Sequence, residues 1–172
     1  MKRLLLILTL ICCCVLTLGS CGAKEAQIPD GYQVYNNGDI SFAYPETWTM
    51  TDGSTVILVN ETGMGNNITV VYEAKNAIYS TITAEEFQAQ MGAVLASMGM
   101  TITDCTVAQT ENEIGTAMTK IAFTSTVANM EMGQTMYIVN VGERTYTVTV
   151  TENTPDDALV ENVFNTLTIE LE

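Results

Sequence analysis

Near the end of the chain, two stretches of alternating residues, Gln134–Val141 and Arg144–Thr151, are separated only by Gly142-Glu143. A two-residue Gly-X connection suits a type II′ turn, whose twist matches that of paired strands. The implied register sets Val139 opposite Tyr146 and Tyr137 opposite Val148. Apolar residues then share one face, while Thr145, Thr147, Thr149 and Thr151 take the other. A hairpin with one apolar face is not stable alone. The chain is thereby committed to an antiparallel sheet with another layer packed on it.

The rest of the pattern supplies both the sheet and its cover. Asn37-Gly38 sits between Tyr32–Asn36 and Asp39–Tyr44 and predicts a first hairpin with a type I′ turn. Pro45 ends the second strand and Trp48 follows in a turn, as a core anchor. Further strands are expected at Thr55–Asn60 and at Ile68–Glu73, with a loop at Gly63–Asn67 between them. Ile68, Val70 and Tyr72 would share a face. Thr83-Ala84-Glu85-Glu86 reads as a capping box. Phe87, Met91, Val94, Leu95 and Met98 follow at helical spacing, and Gly99 stands where a helix would close. Thr101–Gln109 and Ile114–Ser125 read as strands. Thr154-Pro155-Asp156-Asp157 predicts a last helix with Pro at its first position, lined by Val160, Val163, Phe164 and Leu167. The fold class expected is α+β.

The first twenty residues stand apart from this pattern. Lys2-Arg3 precedes an apolar run from Leu4 to Leu18, and Leu18-Gly19-Ser20-Cys21 follows. The run is shorter than the roughly 20 residues a spanning helix needs. It reads instead as a secretory leader cleaved between Ser20 and Cys21, with Cys21 as the lipid attachment site. The expected organisation is a leader over 1–20, a lipid-anchored tether over 21–30 and one globular domain over 31–172. Acyl chains on Cys21 would hold the domain at the extracytoplasmic face of the cell membrane, since stable anchoring needs more than one chain.

Cysteine and charge narrow the chemistry. Of five cysteines, Cys12, Cys13 and Cys14 leave with the leader. Cys21 carries lipid, so Cys105 has no partner for an internal disulfide. It reads as a small buried strand residue, with few cations nearby to make it reactive. Beyond the leader, Lys24, Lys75, Lys120 and Arg144 face 20 acidic residues. Such a surface repels nucleic acid.

The chain has no histidine. The commonest general base and most transition-metal sites are therefore missing. No phosphate loop or calcium loop is present, and no cofactor or metal site is expected. The acidic pairs Glu85-Glu86 and Asp156-Asp157 are accounted for by helix capping. No residue is assigned a catalytic role. Met130-Glu131-Met132, followed by Met136, offers thioether ligands for Cu(I), but packing is the preferred account of the methionines. The sequons Asn60-Glu61-Thr62 and Asn67-Ile68-Thr69 mean little in a bacterial protein, which the Cys21 motif implies.

The stretch from Tyr35 to Trp48, with its Phe42, Tyr44-Pro45 and Trp48 corner, resembles the opening of PsbP-like domains. The likeness extends over most of 31–172. The family includes the extrinsic photosystem protein behind its name and bacterial lipoproteins of the DcrB type. The resemblance implies an α/β/α sandwich around a central antiparallel sheet, and a non-enzymatic accessory or interaction role. An envelope protein is the partner expected. The alternative is a solute- or ion-binding receptor for a transporter, which would need a concave pocket with converging polar groups. A third reading, an enzyme working with carboxylates alone, would need two acids facing each other across a cleft.

Overall fold

The Gly142-Glu143 hairpin lies inside a seven-stranded antiparallel sheet. In the computed structural model, residues 24–53, 55–59 and 65–170 are described. Ser20, Cys21, Asn60 and the Gly63-Met64 part of the expected loop lie outside them. Along the chain the strands are β1 (Tyr32–Asn36), β2 (Ile40–Pro45), β3 (Thr49–Thr51), β4 (Val56–Val59) and β5 (Asn67–Ala74). A 3-10 turn, Ala77–Ser80, leads into helix α1 (Ala84–Ala96). Then come β6 (Met100–Glu111), β7 (Ala117–Val127), β8 (Met130–Val141) and β9 (Arg144–Glu152), followed by α2 (Asp157–Thr166) and β10 (Thr168–Ile169). The large sheet runs β3-β4-β5-β9-β8-β7-β6, and β1-β2-β10 form a small one.

The β8–β9 register is the expected one, with Val139 opposite Tyr146 and Tyr137 opposite Val148. Tyr137, Val139, Tyr146 and Val148 form a core with Ile68, Val70 and Leu58 on one face of the large sheet. Leu159, Val163 and Leu167 of the α2 segment close it, together with Phe42, Tyr44 and Trp48 from the first hairpin. Trp48 is buried there, as expected. The opposite face carries a smaller cluster of Phe87, Ile102, Ile121, Phe123 and Ile138, covered by α1. Helix, sheet and helix thus stack as an α/β/α sandwich, with the small sheet sharing the α2 layer.

Local chemistry moves several boundaries. In the first hairpin Asn37 N–H donates to Ile40 O, so the turn is centred on Gly38-Asp39 rather than Asn37-Gly38. Of these residues only Gly38 takes a positive φ, +89°, which excludes a type I′ turn. Asn37 instead accepts from the Asp39 and Ile40 N–H groups through Oδ1. Pro155 is not the first residue of α2. Asp156 caps that helix by accepting from Leu159 N–H at 3.0 Å, which puts Pro155 one place before the cap.

The capping box of α1 is complete, with Thr83 and Glu86 exchanging bonds. Gly99 has φ +73° and carries the chain from that helix into β6. The packed face of α1 is narrower than its periodicity suggests, because Val94 and Met98 are exposed. Thr145 and Thr147 are buried, and Thr145 Oγ1 accepts from Asn76 N–H at 2.8 Å at the entry to the 3-10 turn, so the threonine face of β9 is not a solvent face. The strands β3 and β10 went unexpected, being too short to show a period.

Candidate functional site

Asp39 and Arg144 come from the turns of two different hairpins and meet where the small sheet overlies the large one. Arg144 Nη1 donates to Asp39 Oδ2 at 2.9 Å. The Tyr146 hydroxyl donates to the same oxygen. The guanidinium also lies 5.0 Å from the centre of the Tyr72 ring, and Tyr72 packs 5.6 Å from Tyr146. Strand alternation builds this group, since Arg144 and Tyr146 are two apart on β9 and Tyr72 is paired with Tyr146 across β5. With Tyr35 and Asp52 they line a small cleft of about 230 Å³.

The electrostatics follow from the contacts. The hydrogen bond from Tyr146, with help from Arg144, holds the Asp39 carboxyl below the usual aspartate range. Burial pushes the Tyr146 hydroxyl up, and Asp39 adds to that. The Tyr146 and Asp39 contacts raise Arg144 further. Tyr72 and Arg144 stay 57% and 54% exposed. The outcome is a stacked aromatic–guanidinium shelf beside a fixed carboxylate. Such a shelf can hydrogen-bond and stack.

A larger cleft of about 610 Å³ opens between β6, β7 and β10, bordered by Gln109, Thr119, Asn140 and Met118. Three of its polar side chains already serve the fold. Gln109 Nε2 donates to Tyr79 O at 3.0 Å, and Thr119 Oγ1 lies 2.8 Å from the same carbonyl. Asn140 Oδ1 accepts from Thr145 Oγ1 at 2.6 Å. Among the described residues, no buried side-chain polar atom lacks a partner. Nor does any cluster of three His, Cys, Asp or Glu among them have a geometry able to hold a metal ion.

The residues singled out in the sequence scatter. Cys105 sits in β6 beside Asp104, whose φ is +54°, where the β6–β7 register shifts. It is half-buried rather than buried, and burial raises its thiol. Glu86 is drawn down by the Thr83 backbone bond, as a capping acid should be. Met136 packs with Met91 under α1, whereas Met130 is exposed at the start of β8. The Asp39–Arg144 pair was invisible in the sequence because its members are 105 residues apart. The buried Asn112 was missed too, as one polar residue in a turn-rich stretch.

No protein-family model matches the chain, and no curated protein does. Among solved structures it is similar to cyanobacterial PsbP (CyanoP) from Synechocystis, with a TM-score of 0.62 at 16% identity, over 89% of this chain and 99% of that one. It also overlaps LpqN, involved in cell envelope biogenesis of Mycobacterium tuberculosis, with a TM-score of 0.41 at 12% identity, over 80% of this chain and 90% of that one. The overlap with CyanoP is close to complete in both directions. The chain has the PsbP-like fold.

Proposed function

We propose that this protein is a lipid-anchored extracytoplasmic accessory domain that acts by binding an envelope protein, not by catalysis. The observation that carries the reading is the state of the clefts. In the cleft between β6, β7 and β10 the side chains of Gln109, Thr119 and Asn140 are engaged in internal hydrogen bonds, which favours recognition over a broad surface rather than capture of a small solute. The Cys21 motif supplies the address, and the absence of histidine removes the common catalytic arrangements. The exposed Tyr72–Arg144 shelf has the residue types enriched where proteins meet.

Two measurements separate the parts of this reading. Cys21→Ser is expected to abolish palmitate labelling and release the domain from membranes. A variant that still fractionates with membranes, with no label on the native chain, would remove the anchor. Affinity capture of the anchored protein after crosslinking in whole cells is expected to enrich an envelope protein, and Tyr72→Ala is expected to weaken that capture. Capture that enriches nothing would overturn the binding role while leaving the anchor intact.

A second reading, a solute or ion receptor serving a transporter, rests on the 610 Å³ cleft. It predicts that some sugar, amino acid or divalent ion raises the melting temperature. Flat thermal-shift curves across such a panel would remove it.

A further inference from the structure

Met100, Met130 and Met132 lie by register at one end of the large sheet on the face covered by α1, Met98 precedes them in the turn into β6, and neither apolar core contains any of the four. Met100 in β6 is opposite Val127 in β7, which is in turn opposite Met130 in β8. One step along the same strands, Ile102 is opposite Ser125 and Ser125 opposite Met132. Residues two apart on a strand share a face. Met100 therefore lies on the face of the buried Ile102, and Met130 and Met132 lie on the face of Met136, which packs under α1. Met98 lies in the turn that follows α1, just before Gly99 and Met100. Strand spacing puts the backbones of Met100 and Met130 about 10 Å apart, and those of Met130 and Met132 about 7 Å apart. Three flexible, unbranched side chains therefore share one face at neighbouring positions, and the turn into β6 sets Met98 two residues before Met100.

Packing does not account for this set. Met91 and Met136 do fill the cluster beneath α1. Met98 and Met130, by contrast, are 59% and 53% exposed, and Met100 and Met132 are half-buried outside that cluster. On the surface of a chain with formal charge −14, polar residues would serve solubility better. What the four share is the thioether, a soft and uncharged donor. Thioethers select Cu(I) over hard cations such as calcium and magnesium. The acidic surface adds a long-range attraction for any cation without competing as a soft ligand.

We propose that Met98, Met100, Met130 and Met132 form a thioether site for a monovalent soft metal ion, Cu(I) or its redox-inert analogue Ag(I). Binding requires no proton release, because thioethers carry none, so affinity is flat with pH where carboxylates and thiols would not be. The site draws the turn after α1 and the β7–β8 hairpin together, since its donors come from both. The half-buried Cys105 lies three rows further along β6, at the register shift, and is no part of the set.

The test uses the full chain in detergent, with methionine methyl groups isotope-labelled, and Ag(I) and ascorbate-generated Cu(I) as probes. One equivalent of either ion is expected to shift the methyl signals of the four methionines. Met50, on β3 at the far edge of the sheet and 50% exposed, should not move. Loss of an outer-shell partner alone weakens metal sites about 10–100-fold, so Met130→Leu or Met132→Leu should lower affinity at least that much. Leucine nearly conserves volume, so the fold should be kept, and Met50→Leu is the matched control. Equal shifts at Met50, affinity unchanged in both single variants, or affinity that follows the titration of carboxylates would each overturn the site.

Discussion

Asn112 uses all of its side chain. Its Nδ2 group donates to Phe164 O and Leu167 O, both at 2.8 Å, while Oδ1 accepts from Thr116 N–H at 2.9 Å. One buried amide thus satisfies carbonyls at the C-terminal end of α2 and also pins the β6–β7 connection. Replacing it by Ala strands two buried carbonyls and one N–H, and leaving even one such group unpaired costs about 1–3 kcal/mol. Asn112→Ala should therefore lower unfolding stability by about 2 kcal/mol or more in urea melts. A loss well below that would mean water replaces the amide. Asp39 works differently because it is only half-buried and ionised. Its carboxyl is held below the usual range in the folded protein, so its contribution is present at neutral pH. That contribution fades only as the pH falls through the depressed value, on the acid side of ordinary aspartates. The stability gap between the native chain and Asp39→Asn should stay constant from neutral pH down to the aspartate range and close below it. The same substitution should let Tyr146 ionise at lower pH in an ultraviolet titration, since Asp39 is one of the groups holding its proton.

The two helices share a layer count but not a grip on the core. α2 buries Leu159, Val163 and Thr166, and the Thr166 hydroxyl accepts from Ala43 N–H at 2.9 Å. α1 buries Phe87 alone, in contact with Phe123 at 5.6 Å between ring centres. Its stability leans on the capping box, so Thr83→Ala should cost about 1 kcal/mol and Thr83→Gly only a few tenths. In native-state hydrogen exchange, the amides of α1 should open at lower free energy than those of α2. Core truncation should show the same contrast. Leu159→Ala is expected to cost about 2–5 kcal/mol, whereas Val94→Ala should stay within about 0.5 kcal/mol. The capping box and the α1 periodicity were legible in the sequence because both are local. What the helix face touches was not, since Val94 and Met98 keep the spacing of a buried stripe yet are exposed. Pro155 shows the same limit. The rule that favours Pro at the first helical turn is sound, but the Asp156 side chain outcompeted Thr154 for the cap.

At the scale of the molecule, the sheet carries a strongly acidic surface with one ion pair among the described residues. Like-charge repulsion should then outweigh ion pairing, and added salt should raise the melting temperature by screening it. A melting temperature that falls with salt would place net stability in charge pairs instead. Chain-local signals determined a good deal on their own. The β8–β9 register, both helices, the α+β class and the Phe42–Trp48 corner are written in neighbouring residues, because turn chemistry and alternation act over two to five positions. Tertiary structure alone decided which faces met. It buried Thr145 and Thr147 of β9 and set Asp39 beside Arg144. It also set Met100, Met130 and Met132 of two strands on one face of the sheet. These are pairings between residues far apart in the chain, selected by how two apolar faces of one sheet find their cover, and no local period encodes that choice.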